Sequence, residues 1–203
     1  MSDSKKEEIL IFCRQKFFSG GFYKTTMDEI ASELRVSKKT LYKHFPSKDD
    51  LVRETIMSHI GGVANKVSHI VDSDEPTVIK FKKIINIIAA ALAPESEIFW
   101  DEFKEHMTNH WEEIERFREI QIRKNFGKLF SDGISEGVMR AYPPELTITV
   151  FLAMIRSVVN PVFLSKSGKS FDTVVKTVFE IIKNAFFTDE GLKQLNENNI
   201  NGA

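Results

Sequence analysis

Apolar residues recur at intervals of three and four along almost the whole chain, and no convincing stretch alternates apolar and polar with a period of two. That periodicity selects helices and leaves no sheet to organise the fold, because a half-buried strand needs its apolar side chains at every second position. Breaks at Gly20-Gly21, Arg35-Val36, Pro46-Ser47, Asp72 to Pro76, Pro94, Gly137 to Pro144 and Lys166 to Ser170 divide the chain into about nine helices. The predicted fold class is all-α, with a short three-helix N-terminal unit ahead of a larger helical core.

The N-terminal helices are signposted at their starts. Thr26-Met27-Asp28-Glu29 has the spacing of a capping box, with the threonine hydroxyl on the third amide and the glutamate reaching back. Ser37 is placed to cap a helix over residues 38–44, Pro46 stops it, and Ser47-Lys48-Asp49-Asp50 opens the next. Two short helices therefore meet across a tight turn at Glu33 to Ser37, which is the outline of a helix-turn-helix. In the second of them Leu41 and Phe45 are four apart and face inward with Val36, leaving Lys38, Lys39, Thr40, Tyr42, Lys43 and His44 facing outward or flanking that stripe. Lysine reaches guanine edges or phosphates, threonine and tyrosine hydroxyls reach phosphates, and the amides after Thr26, Ser37 and Ser47 add partial positive charge. The predicted DNA-facing set is Thr26, Ser37, Lys38, Lys39, Thr40, Tyr42, Lys43, His44 and Lys48.

Charge agrees with that reading. The formal net charge of -1 conceals 11 Lys+Arg against 8 Asp+Glu in residues 1–53, and 17 against 21 in the remainder. Five basic residues and no acid lie between Arg35 and Lys48, whereas an ordinary solvated face mixes signs.

The run GGFYKTTMDEIASELRVSKKTLYKHFPSKDDL resembles the DNA-binding domain of the TetR family of bacterial transcriptional regulators. The resemblance spans residues 5 to about 53 and is carried by Thr26, Ile30-Ala31, Val36-Ser37, Thr40-Leu41-Tyr42, Phe45, Ser47-Lys48 and Leu51. Arg35 departs from it, standing where a turn glycine is frequent, and Lys39 stands where a small residue is frequent. A weaker similarity covers HWEEIERFREIQIRKNFGKLFSDGISEGVMRAYPPEL. The resemblance implies a helix-turn-helix DNA-binding domain over residues 1–53 and a helical ligand-binding and dimerisation domain over residues 54–203. It also implies a double-stranded DNA operator, a homodimer formed by the eighth and ninth helices, and a small effector. Within residues 145–187, the interface so implied, the runs 146–164 and 171–187 are apolar almost all round, which independently calls for cover on both sides.

The remaining features divide between packing and function. Phe99, Trp100, Phe103, Trp111, Phe117, Phe126 and Phe130 concentrate around the sixth and seventh helices. Such a stripe is either core or, in a regulator of this family, the wall of a cavity for a small, largely apolar or aromatic effector. Trp100, Phe103, Met107, Trp111 and Phe126 are the predicted pocket residues. Arg156 is either an anchor for an acidic group on a ligand or an interface residue with a carboxylate partner. Gly61-Gly62 marks either close packing or a flexible point. His106, His110, Glu102 and Glu113 outline a metal cluster that nothing in the spacing completes, so no metal or cofactor is expected. Cys13 lies in step with Ile9, Phe12 and Phe17 and reads as a core thiol. No apolar run reaches the length of a membrane span and no signal peptide is apparent, so a cytoplasmic protein is expected. The reading is a ligand-responsive regulator, with a repressor preferred. A small helical enzyme lacks a nucleophile, phosphate loop or metal spacing here, and an interaction module without DNA binding leaves the lysines unexplained.

Overall fold

The computed structural model describes residues 2–92, 97–158, 163 and 166–197. Among them are ten helices: α1 (Ser2–Gly20), α2 (Met27–Glu33), α3 (Lys38–His44), α4 (Lys48–Val71), α5 (Thr77–Leu92), α6 (Glu97–His106), α7 (Thr108–Ser135), α8 (Pro144–Val158), α9 (Phe171–Phe186) and α10 (Asp189–Glu197). The described residues contain no strand beyond a single antiparallel bridge between Met139 and Phe187. The expected all-α class is the observed one.

The chain divides into two compact units. One comprises residues 1–62 and 94–115, the other residues 63–93 and 116–203. The first unit thus takes in more than residues 1–53, adding the next two turns of α4 together with α6 and the start of α7.

In the first unit α1 buries Ile9, Cys13 and Phe17, spaced by four along one stripe, and packs on α6. Burial pushes the Cys13 thiol up to about 12, with Lys16 pulling the other way, so Cys13 is a core side chain. The α1 face continues into Phe18 and Phe22, whose rings meet Phe99 of α6 at 4.7 and 6.2 Å. Helix α2 begins as the sequence predicts. Glu29 N donates to Thr26 Oγ1 at 3.2 Å, and Thr26 N donates to the Glu29 carboxylate at 2.8 Å. That backbone hydrogen bond is the first reason the Glu29 carboxyl lies below its ordinary range.

The second unit is built on phenylalanine. Phe126, Phe130, Phe151 and Phe186 form one cluster, with Phe126 and Phe151 centroids 4.4 Å apart, and Phe81 joins Phe187 at 4.8 Å. Helix α5 is fixed at its start by Thr77, whose amide and hydroxyl both donate to the Glu136 carboxylate at 2.9 Å. Lys80 is buried yet satisfied, donating to Val71 O at 3.0 Å with Asp132 at 3.4 Å. After α7 the chain turns at Gly137, whose φ of 74° is the left-handed value that glycine takes freely. Gly191 is required for a different reason, since a Cβ there would lie 2.2 Å from the carbonyl oxygen of Val138.

Helices α8 and α9 bury one face each within this unit. Thr147, Ile148, Phe151 and Leu152 of α8, and Val174, Val175, Val178, Phe179 and Ile182 of α9, are internal. Val175 and Phe179 are therefore core positions, not side chains open to a partner. Among the described residues of these two helices, the large apolar side chains left exposed are Leu146 and Val150 of α8 and Ile181 of α9. Arg156, near the end of α8, donates to the Glu119 carboxylate of α7 at 2.6 Å, so its carboxylate partner is within the same chain.

Candidate nucleic-acid interface

The helix-turn-helix is made by α2, a tight turn and α3, and its cohesion comes from a few buried apolar residues. Leu41 and Phe45 are wholly buried and Val36 half-buried beside Ile30 and Ala31 of α2. In the turn, Leu34 N donates to Ile30 O at 3.0 Å and Val36 N to Ala31 O at 2.9 Å. Arg35 sits at φ 53°, the left-handed conformation the sequence requires of it without a glycine. Ser37 then caps α3, its hydroxyl accepting from Thr40 N at 3.0 Å.

The predicted DNA-facing residues fall into two sets. Lys39, Tyr42 and Lys43 project from the exposed side of α3 and have no intramolecular hydrogen-bond or ion-pair partner among the described residues. His44 is half-buried, its ring tilted against Phe45. The others are engaged within the chain. The Thr26 hydroxyl serves the α2 cap, and the Ser37 and Thr40 hydroxyls lie 2.7 Å apart in a mutual hydrogen bond. Lys38 pairs with Asp28 of α2 at 2.6 Å, with both side chains well exposed. Lys48 donates to Tyr23 O and stands 5.6 Å from the centroid of the Tyr23 ring. Desolvation draws the Lys48 ammonium below the ordinary lysine range, against the opposing pull of Glu102, Asp49 and Glu29.

Tyr23 is not among the sequence-predicted residues, although it is exposed in the α1–α2 turn and holds Lys48. The only local signal is its position just after Gly20-Gly21. Glu102 and His106 of α6, considered above as metal ligands, instead meet this turn. Glu102 accepts from Phe22 N and from Tyr23 N, the latter at 2.7 Å, and the His106 ring stacks on Tyr23 with centroids 3.8 Å apart. Among the described residues no group of three His, Cys, Asp or Glu is placed to hold a metal.

The predicted effector-pocket residues are divided. Phe103 and Met107 are buried in the first unit, with Phe103 against Phe99 at 5.9 Å and Trp111 at 5.8 Å. Phe126 is buried in the second unit among phenylalanines. The side chain of Trp100 lies outside the described residues. A surface recess of about 350 Å³ is lined by Asn65, Ser68, His69, Asp72 and Ser73. Its lining residues are polar in type, and none belongs to the predicted set.

A short helix seated by Leu41 and Phe45 and presenting free lysines defines a helix-turn-helix DNA-binding protein. Residues 14–55 match the family described as bacterial regulatory proteins, tetR family. Over most of its length the chain is similar to YvaF of Bacillus subtilis, an uncharacterized HTH-type transcriptional regulator. The two are 22% identical over 187 residues, which is 90% of this chain and 94% of YvaF. It is also similar to the HTH-type transcriptional repressor KstR2 of Mycolicibacterium smegmatis, 22% identical over 75% of each chain. Among solved structures, a regulator from Saccharomonospora viridis in complex with choline has the same fold, with a TM-score of 0.69 at 18% identity, covering 92% of this chain and 99% of the other. Residues 14–55 thus match the TetR family's DNA-binding part, and the chain over most of its length shares the fold of TetR-family regulators. These relatives are regulators, not enzymes. No helix of the described residues is long and apolar enough to cross a membrane.

Proposed function

We propose that the protein is a homodimeric repressor that binds a near-palindromic operator through α3 of each subunit and is released by a small effector. The observation that carries the DNA-binding part is the outer side of α3, where Lys39, Tyr42 and Lys43 are exposed and unpaired while Leu41 and Phe45 anchor the helix from below. An interaction module without DNA binding has no use for that arrangement. Two such helices related by a dyad meet successive major grooves about 34 to 36 Å apart.

Dimerisation through residues 145–187 is supported by Leu146, Val150 and Ile181, which remain exposed after α8 and α9 have packed in their own subunit. Repression is supported by the similarity to KstR2. A small effector is supported by the choline complex of the S. viridis relative, and a largely apolar or aromatic one by the aromatic content of α6 and α7. An effector lowers operator affinity only by its differential binding to the two states of the dimer. The place of action is the cytoplasm, where bacterial operator DNA lies.

The test is selection of genomic fragments by the purified protein, followed by titration of a retained fragment at several salt concentrations. Retention of near-palindromic fragments with affinity falling steeply as salt rises is the expected result. Lys39→Ala and Lys43→Ala should change which fragment is preferred, since each bidentate pairing of a side chain with a base edge supplies about 1–3 kcal/mol of discrimination. Failure to retain any fragment overturns the reading.

A further inference from the structure

We infer that Glu102 of α6 is a positioning residue for DNA binding: its carboxylate fixes the Phe22-Tyr23 turn and, through Tyr23, sets the Lys48 ammonium at the start of α4. The inference rests on the DNA-binding reading above and adds a residue about eighty positions away in sequence from the turn it holds.

The geometry is specific. One carboxylate oxygen, Oε2 of Glu102, accepts from both Phe22 N and Tyr23 N. Two amides converging on one anionic oxygen form charge-assisted hydrogen bonds, stronger than those between neutral groups. The approach is close enough to dictate the preceding residue. A Cβ on Gly21, which has φ 80°, would stand 2.5 Å from that same oxygen. One turn further along α6, the His106 ring lies nearly parallel to the Tyr23 ring, at 8°, so α6 grips the turn by backbone and by side chain. Tyr23 in turn offers its carbonyl and its ring to Lys48. Glu102 is also the foremost of the carboxylates that favour the charged form of Lys48. The ammonium is therefore held by the turn, and the turn is held by α6. Without the acceptor, two amides have no partner, the turn relaxes, and Lys48 loses its fixed direction.

Salt dependence separates this role from a merely structural one. The probe is a fluorescent random-sequence duplex of about thirty base pairs, a length that spans two major grooves. Binding by the full chain is followed by anisotropy, with a melt run on each variant. Glu102→Gln keeps one oxygen able to accept from both amides and should retain the wild-type salt slope. Glu102→Met has similar length and no acceptor oxygen. It should lose about 1.8 from the slope of log K against log salt, the equivalent of one phosphate per subunit of the dimer, so that wild type gives up about 12-fold more affinity than the variant between about 50 and about 200 mM salt. Lys48→Ala should lose the same amount, and Lys48→Ala with Glu102→Met no more than either alone. If Glu102→Met does not fold, Glu102→Asp, a methylene short of the amides, replaces it. A wild-type slope in folded Glu102→Met, or an additive loss in the double variant, overturns the inference while leaving DNA binding intact. A wild-type protein that does not bind the duplex overturns the DNA-binding reading itself.

Discussion

Ile181→Glu should separate assembly from folding. Ile181 is 53% exposed on α9, whereas Val175, on the same helix, is 5% exposed and part of the core. Full burial of an isoleucine side chain stabilises by about 1.5–3 kcal/mol, so covering the exposed half against a partner contributes about 0.8–1.5 kcal/mol. A twofold interface carries every substitution twice. Removing that apolar cover should therefore weaken the dimer by about 1.6–3 kcal/mol, or about 15- to 150-fold in dissociation constant. This is a lower bound, because two unpaired carboxylates would also have to be desolvated. Sedimentation velocity over a range of concentrations measures the dissociation constant, and a melt at a concentration where both proteins are monomeric measures the fold. Val175→Glu, by contrast, should unfold the chain at any concentration. An Ile181→Glu protein with unchanged dissociation, or a folded wild-type monomer at micromolar concentration, refutes the placement of the interface.

Three further outcomes are expected of the isolated protein. Arg35→Gly relieves a left-handed backbone of about 1 kcal/mol strain and gives back part of it as unfolded-chain entropy, so the urea midpoint should rise by the equivalent of about 0.5 kcal/mol; a fall would mean that the Arg35 side chain contributes more than its backbone costs. Cys13, with its thiol at about 12, should react with iodoacetamide at pH 8 about a thousandfold more slowly in the native protein than in urea. Because the folded value is the higher one, the neutral thiol's contribution is complete below pH 9 and is lost as pH rises toward about 12, so alkaline melts of Cys13→Ala should fall less steeply than wild type. Gly62→Ala adds a Cβ that meets nothing within 4 Å and should stabilise the α4 interior by about 0.5–1 kcal/mol, a prediction that a lowered melting temperature would refute.

What was legible in the sequence was the chemistry that acts over three or four residues. The starts of α2 and α3 could be read because a hydroxyl and the amide it accepts from are three positions apart. The inward stripe of α3 could be read because Leu41 and Phe45 are one turn apart. A stripe, however, states which side of a helix is covered and not what covers it. Phe99 has the same periodicity whether it lines a cavity or, as observed, packs on Phe18 of α1 and Phe22 of the turn after it. For the same reason α9, apolar on most sides, did not distinguish Val175 and Phe179 from Ile181. Glu102 was invisible as a positioning residue, since it stands among Asp101 and Glu105 as one acid of several. The amides it serves come from the other end of the first unit.

The DNA-facing residues show where residue type alone misleads. Hydroxyls that bind phosphate oxygens also cap helices, and lysines that bind phosphates also bind carboxylates, so a residue chosen for DNA by its type can have an internal competitor. The competitor is local and already in place for Thr26, Ser37, Thr40 and Lys38. Hydroxyls and amides release no counterions when they meet DNA, and a lysine paired with Asp28 must exchange one partner for another. Of the lysines chosen for DNA, Lys39 and Lys43 have no partner among the described residues, and Lys48, in the proposal above, is set by the turn that Glu102 holds. Six such lysines in a dimer set an upper limit of about 5 on the salt slope contributed by α3 and the start of α4, and each lysine that reads a base instead lowers it by about 0.9. The slope of the dimer therefore reports how the α3 lysines are shared between backbone and bases.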